Sequence, residues 1–381
     1  MRLIKLLTFS FALLSFSAWS APISGAVAPP PPLAVKAYLL KDFNSGSDVV
    51  AYKKDERIEP ASLTKIMTAY VTFEAIQKGH LKLDQTLPVS EAAWKVEGSK
   101  MFIEPNKPVT VDELLHGMII QSGNDASITL AIGVGGSEEQ FADIMNKKAA
   151  TLGMTATHFM NATGLPNKDH YTTASDLAVL ASALIRDFPL EYRRLYSVKE
   201  YTYNKITQPN RNRLLWLDAN VDGMKTGHTD TAGYCLIASS KRGESRLVSV
   251  VLGAVSEAMR ASESQKLLNY GFQFFESTLV YKQGQTINSL ALFKGQDKTV
   301  AATITHDFYV SLPKGDYARV KATMTSQQPL IAPIKAGQVI GKINFTLDGK
   351  VINEQNLVAA KAIAQAGIIR RIVDSVRLLA R

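Results

Sequence analysis

Strand-like alternation stands at both ends of the first 276 residues and helical periodicity lies between, and that order constrains the fold more than any other feature. Lys36 to Ile58 alternates around Asn44-Ser45-Gly46 as a hairpin does. A helical region opens near Pro60. Thr110-Val-Asp-Glu113 and Ser137-Glu-Glu-Gln140 read as capping boxes ahead of apolar periodic runs, which predicts helices at 110–120 and 137–151. Asp176 to Ile185 continues the helical middle. From Gly223 the period changes again: Gly233–Ser239 and Arg246–Val255 are β-rich runs joined across Lys241-Arg242-Gly243-Glu244, with a helix from Glu257 to Phe274 behind them. Strands, helices, then strands predict an α/β domain over 36–276, in which the N-terminal hairpin closes an antiparallel sheet with the late strands.

The two ends carry different signals. Met1 to Ser20 has Arg2 and Lys5, an uncharged apolar run from Leu6 to Trp19, and small residues at Ala18 and Ser20. This predicts a secretion signal over 1–20, cleaved before Ala21, since the run is shorter than the roughly 20 residues a membrane span needs. A linker over 21–35 contains Pro29 to Pro32. Between 277 and 356 short alternating segments such as Arg319–Thr325, with turns at Gly284, Gly295, Gly315, Gly337 and Gly349, predict a small all-β domain serving as a spacer or docking module. Over 357–381 the pattern is amphipathic. Ile368, Ile369, Ile372, Val373, Val376 and Leu379 share one face, and Arg370, Arg371, Asp374, Arg377 and Arg381 lie opposite, as expected of a helix in the interface of an anionic membrane, with the basic contact over 361–381. With 381 residues, 46% of them hydrophobic, the chain is long enough for two cored domains. Its 43 Lys and Arg against 34 Asp and Glu make it basic, but export argues against nucleic acid as the partner. Cys235 is the single cysteine and reads as a small packed residue.

Three short patterns carry chemistry. In Ser62-Leu-Thr-Lys65 a hydroxyl and an amine three residues apart on a helix share one face, so the weak nucleophile has a base within reach. Pro60 suits the helix start, where exposed N–H groups favour an oxyanion. Alone this pattern is cheap: Ser311-Leu-Pro-Lys314 matches it too, within the β-rich part. Ser122-Gly-Asn124 falls between two helical runs, where it could project into a cleft or simply cap a helix. Lys225-Thr-Gly227 opens the late β section, where an edge strand would present a cation and a hydroxyl; an ordinary turn is the alternative. None of the six histidines has the spacing of a metal site, and neither metal nor cofactor is expected.

All three patterns together, in this order, resemble the penicillin-binding protein and serine β-lactamase superfamily. Pro60-Ala-Ser-Leu-Thr-Lys-Ile-Met-Thr68, Ser122-Gly-Asn-Asp-Ala126 and Asp222-Gly-Met-Lys-Thr-Gly-His228 are similar to the low-molecular-mass D-alanyl-D-alanine carboxypeptidases. The likeness extends through Gly98-Ser-Lys-Met101, Asn161-Ala-Thr-Gly-Leu165, Asn210-Arg-Asn212 and Ile334-Lys-Ala-Gly-Gln338. It implies an antiparallel sheet flanked by helices plus an all-helical part, followed by the all-β domain and the terminal helix. It implies further that Ser62 attacks the carbonyl between two D-alanines at the end of a peptidoglycan stem peptide, that Lys65 takes its proton, and that Ser122 passes a proton to the leaving amine. Asn124 would orient the substrate amide, Lys225, Thr226 and Arg211 would hold the terminal carboxylate, and Gly227 would leave room on the strand. The N–H groups of Ser62 and His228 would form the oxyanion hole. β-Lactams would act as acylating inhibitors, and the enzyme would sit on the outer, periplasmic face of the inner membrane.

Lys65 should work as a neutral amine, its charge disfavoured by Lys225 and the helix dipole. A class A β-lactamase would need a Glu-x-x-x-Asn segment between Asn124 and Lys225, and none occurs. A membrane-held scaffold that binds peptidoglycan through the β domain is the reading from a different class.

Overall fold

The computed structural model describes residues 27–379. The export segment expected at 1–20 and the start of the linker lie outside the described residues. A five-stranded antiparallel sheet runs in the order Asp48–Tyr52, Ala37–Asp42, Ser245–Ala254, Gly233–Arg242, Val221–Thr229. The N-terminal hairpin closes it as the element order predicts, with Leu39 opposite Val250 and Lys41 opposite Val248.

Alternation along these strands divides the sheet's side chains between two cores. Ala37, Leu39, Ile237, Val248 and Val250 face the helical body, together with buried residues of the helices Lys65–Gln77, Val111–Ile120 and Ala174–Asp187. Tyr38, Leu40, Leu236, Ala238 and Val251 face the other way, under Ala261, Leu267 and Leu268 of the helix Glu257–Phe274. Each fully buried Leu or Val on these faces contributes about 1.5–3 kcal/mol relative to exposure, so the register is fixed from both sides.

The helical body starts where its caps say. Thr110 accepts from the Glu113 N–H while Glu113 reaches back to the Thr110 N–H, a reciprocal box that starts the helix Val111–Ile120. Ser137 caps Glu138–Leu152 through the Gln140 N–H alone. Ser62 differs from expectation: it lies in a short 3-10 turn, Ala61–Thr64, and the α-helix begins only at Lys65.

The change from helix to β domain comes at 274/275 rather than 276/277, because Phe275–Tyr281 already pairs with Phe308–Pro313. Ser311, of the second Ser-x-x-Lys match, sits in that latter strand. The β domain has its own core around Val300, Ile340, Phe345 and Leu357. It also claims residues expected in the terminal helix: Lys350–Ala359 is a strand, and Ile363 and Gln365 bridge to Ile334 and Gly295. The helix is therefore Ile368–Leu379, not 357–381, since the segment before it is held by backbone pairing. Its joint is specific. Asp374 is buried and accepts from the Lys294 N–H at 2.7 Å, and Arg370 donates to the Gln296 carbonyl at 2.7 Å. Ile368, Ile369, Ile372, Val376 and Leu379 stand in the open. Among the described residues no helix is long and apolar enough to cross a membrane.

Candidate active site

The three chemical patterns meet in one cleft between the sheet's edge and the helical body, a cavity of about 330 Å³ whose walls include Ser62, Ser122, Asn124, Arg211, Thr226 and His228. The Lys65 Nζ lies 2.9 Å from the Ser62 Oγ, 2.7 Å from the Asn124 Oδ1 and 2.7 Å from the Thr163 carbonyl oxygen. The last two oxygens can only accept. Asn124's amide is itself fixed, because its Nδ2 donates to the Glu97 carbonyl at 2.7 Å. A neutral amine gives its two N–H bonds to those oxygens, and its lone pair is left for the Ser62 hydroxyl proton. That is the geometry of a general base.

The charge state agrees. Lys65 is fully buried, and burial pushes its pKa down to about 7; the positive charge of Arg211 adds to this and Asp125 opposes it. The depression thus comes from burial first and Arg211 second, not chiefly from Lys225 and the helix dipole as expected, because desolvation outweighs any neighbouring charge in so closed a position. Lys225 is held well below the ordinary amine range by burial, then by Lys65, Arg211 and Arg260. Its Nζ is 2.9 Å from the Ser122 Oγ and 3.2 Å from the Thr226 carbonyl. Two amines therefore each address one serine hydroxyl in the cleft.

Local backbone sets these positions. Val221–Thr229 is the sheet's edge strand, as Lys225-Thr-Gly227 requires. Gly227 lets it approach the turn that carries Ser62: a β-carbon there would stand 3.1 Å from the Pro60 carbonyl. Ser122 adopts φ +64°, which turns it out of the helix Val111–Ile120 before Asn124 opens the next helix, Asn124–Gly135. Arg211 is exposed at the cavity wall, its Nε donating to the Gln121 carbonyl at 3.2 Å. The His228 ring turns to Tyr234, with ring centroids 4.0 Å apart. Cys235 is buried, and burial pushes its thiol up to about 11, in keeping with a packed residue.

Several contributors carry no residue-type signal in the sequence. Thr163 and Glu97 act through carbonyl oxygens alone. Asn161 shapes the loop that offers Thr163, accepting from the Thr163 N–H at 3.1 Å and the Gly164 N–H at 2.7 Å. Asp125 is wholly buried beside the site and accepts from the N–H groups of Met101, Phe102, Ile103 and Ala126. It pins the 97–103 loop to the helix Asn124–Gly135, whose Asn124 N–H donates to the Ser99 carbonyl. Asp125→Ala leaves four backbone donors without their acceptor, three of them on the buried residues Met101, Ile103 and Ala126. It is expected to cost about 3 kcal/mol and lower the melting temperature by roughly 5–10 °C in a thermal scan, with Asn124 losing its support.

Residues 25–256 match the family described as D-alanyl-D-alanine carboxypeptidase, and residues 275–365 match the C-terminal domain of penicillin-binding protein 5. The chain is 43% identical over 356 residues to the D-alanyl-D-alanine carboxypeptidase DacC of Escherichia coli (strain K12), covering 91% of this chain and 89% of that one. Over 371 residues it is 39% identical to DacA of Haemophilus influenzae, at 96% and 94% coverage. Among solved structures, penicillin-binding protein 5 from Haemophilus influenzae superposes with a TM-score of 0.85 at 40% identity, across 89% of this chain and 100% of that chain. Penicillin-binding protein D2 from Listeria monocytogenes, solved in its ampicillin-bound form, superposes at 0.60 with 32% identity, across 64% of this chain and 100% of that chain.

Proposed function

The chain belongs to the D-alanyl-D-alanine carboxypeptidase family, and from that premise we propose that Ser62 is its nucleophile, Lys65 the base, and Ser122 the group that returns a proton to the leaving amine. The protein is a serine-type hydrolase that removes the terminal D-alanine from peptidoglycan stem peptides. Ser62 Oγ attacks the carbonyl carbon between the two D-alanines as its proton passes to the Lys65 amine. The N–H groups of Ser62 and His228 receive the negative oxygen. The C–N bond then breaks and D-alanine leaves with a proton from the Ser122 hydroxyl, which Lys225 holds in place. The proton Lys65 had taken replaces it, so Lys65 is neutral again, and water attacks the Ser62 ester with its proton going to Lys65 and from there back to Ser62.

Asn124 orients the substrate amide. Lys225, Thr226 and Arg211 hold the terminal carboxylate, whose negative charge restores the proton affinity that burial takes from Lys225. Gly227 gives the strand its close approach. The observation that carries this assignment is the Lys65 amine, with two carbonyl-type acceptors fixed on it and Ser62 as its third neighbour. Intact-protein mass spectrometry after incubation with benzylpenicillin tests it: one covalent adduct per chain, localised to the peptide carrying Ser62, is expected. An adduct on another residue would overturn the assignment.

The same reading divides the chain into a peptidase domain ending at the helix Glu257–Phe274, a β domain, and an interfacial helix. It places the exported enzyme on the periplasmic face of the inner membrane, lying on anionic lipid through Ile368–Leu379. The exposed Ile, Val and Leu face of that helix and the arginines beside it support this. A chain ending at Gly367 should lose sedimentation with anionic vesicles by at least about tenfold, while hydrolysing soluble D-alanyl-D-alanine peptides at the full-length rate. Equal sedimentation of both forms would remove the helix from this role.

A further inference from the structure

Ser90, Thr110, Ser137, Thr173 and Ser256 each precede a helix in extended backbone, and each hydroxyl accepts from the N–H three residues on. Thr64 holds the same place before the helix Lys65–Gln77 and departs from all of them. Its backbone is helical, φ −46° and ψ −36°, and its side chain makes no capping bond. The hydroxyl lies instead 3.0 Å from the Nε2 of His170, a residue 106 positions away. Both side chains are buried.

The ring is held firmly. His170 donates its N–H to the Asn167 carbonyl at 2.9 Å, and its imidazole stands edge-on to Phe159 at 5.8 Å between centroids. Two residues further on, Thr172 exchanges both backbone hydrogen bonds with Ile58, at 2.9 Å each, so the segment that carries the ring is tied to the chain entering the Ser62 turn. Burial, with His158 adding to it and Glu59 opposing, pushes the His170 pKa down to about 4, and the ring is neutral. Its Nδ1 is buried without a partner, so the one ring proton belongs on Nε2, where the Thr64 oxygen accepts it. The imidazole thus supplies the donor that the Met67 N–H would offer a capping hydroxyl.

We propose that His170 is a positioning residue for the Ser62–Lys65 pair, acting by keeping the Thr64 hydroxyl out of the cap. This rests on the reading of Ser62 as nucleophile and Lys65 as base. Thr64 lies between the two in the chain, and its helical φ and ψ carry the 3-10 turn Ala61–Thr64 straight into the α-helix, with Ser62 Oγ 2.9 Å from Lys65 Nζ. A free hydroxyl would draw Thr64 to the extended backbone of the other caps. That swings ψ through about half a turn and takes Ser62 off the amine.

Stopped-flow acylation by a chromogenic cephalosporin, run to saturation, separates the acylation rate constant from the dissociation constant of the complex before it. His170→Leu should lower the rate constant about tenfold, the worth of one helix cap, and leave the dissociation constant within about twofold. His170→Gln, whose amide N–H can replace that of Nε2, should stay within about threefold of wild type. The deciding variant is the pair: Thr64→Val added to His170→Leu removes the competing hydroxyl and should restore the rate to within about threefold of wild type. A loss through packing alone would not be repaired in this way. A His170→Leu rate equal to wild type, a His170→Gln rate as low as that of His170→Leu, or a double variant slower than either single one would overturn the role. Should His170→Leu fail to fold, Thr64→Val alone decides: a rate within about threefold of wild type supports the proposal, and a loss of about tenfold overturns it, since the hydroxyl would then be needed for itself. A wild-type protein with no adduct on Ser62 would instead remove the nucleophile reading on which the proposal stands, so the two failures are told apart.

Discussion

Ser62→Ala should reduce release of D-alanine from a stem pentapeptide by at least about 10⁴-fold and abolish the penicillin adduct in the intact-mass spectrum. The change removes one oxygen. The turn Ala61–Thr64, buried apart from the partly exposed Ser62, the Lys65 contacts to Asn124 and Thr163, and the Lys225–Ser122 contact all remain, so the fold and the carboxylate-binding groups are preserved. What is lost is the covalent step itself, and single losses of a nucleophile in serine hydrolases cost on that order, with the remainder supplied by binding and the oxyanion hole. Retained acylation in the alanine variant would move the nucleophile elsewhere. Retained biological effect with no acylation would favour the scaffold reading.

Lys65→Arg should cost about 10³-fold or more in the acylation rate and remove the acid limb of its pH profile. In the proposed mechanism the base is the Lys65 amine, which burial brings down to about 7, so it is neutral and competent above that value. As pH falls through about 7 the amine takes a proton, and the acylation rate constant should drop about tenfold per unit. A guanidinium stays protonated throughout the usable range and has no lone pair to offer. It would meet the Asn124 and Thr163 oxygens with N–H groups and leave the Ser62 proton without an acceptor. Stopped-flow acylation by a chromogenic cephalosporin between about pH 5 and 9 separates the cases. A wild-type profile flat through 7, or an arginine variant retaining its rate, would exclude the amine as base.

The parts of this site that the sequence makes legible are those whose chemistry is local or typed. Ser62 and Lys65 are three residues apart, Thr110 and Glu113 cap one helix end, and Lys225-Thr-Gly227 opens a β run, so each can be read without knowing what lies opposite. The strand order is legible for a similar reason: a hairpin with an apolar face and no neighbour must pair with the later strands. The remainder is not typed. Lys65 depends on the Thr163 carbonyl, Asn124 on the Glu97 carbonyl, and any residue supplies a carbonyl. Asp125 follows the Ser-x-Asn pattern yet acts on a loop more than twenty positions earlier, which only the fold brings near. The sequence pattern extends the terminal helix back to 357 because Leu357, Val358 and Ala359 are apolar, and an apolar strand end beside an amphipathic helix has no boundary that periodicity can mark.

The loop over residues 161–165 passes directly behind the turn that carries Ser62. Gly164 has φ +85°, and a β-carbon there would stand 1.8 Å from the Ala61 carbonyl oxygen. Laboratory evolution of this enzyme toward new acyl donors therefore has an unequal map of freedom. Position 164 is closed to all nineteen alternatives, because every side chain begins with the atom that does not fit. Neighbouring wall positions such as Ser99, Leu165 and Tyr234 line the same cavity without that collision and can be varied in libraries. A mutagenesis campaign that spares the one glycine and randomises those three would search substrate range without first breaking the surface against which the serine is set.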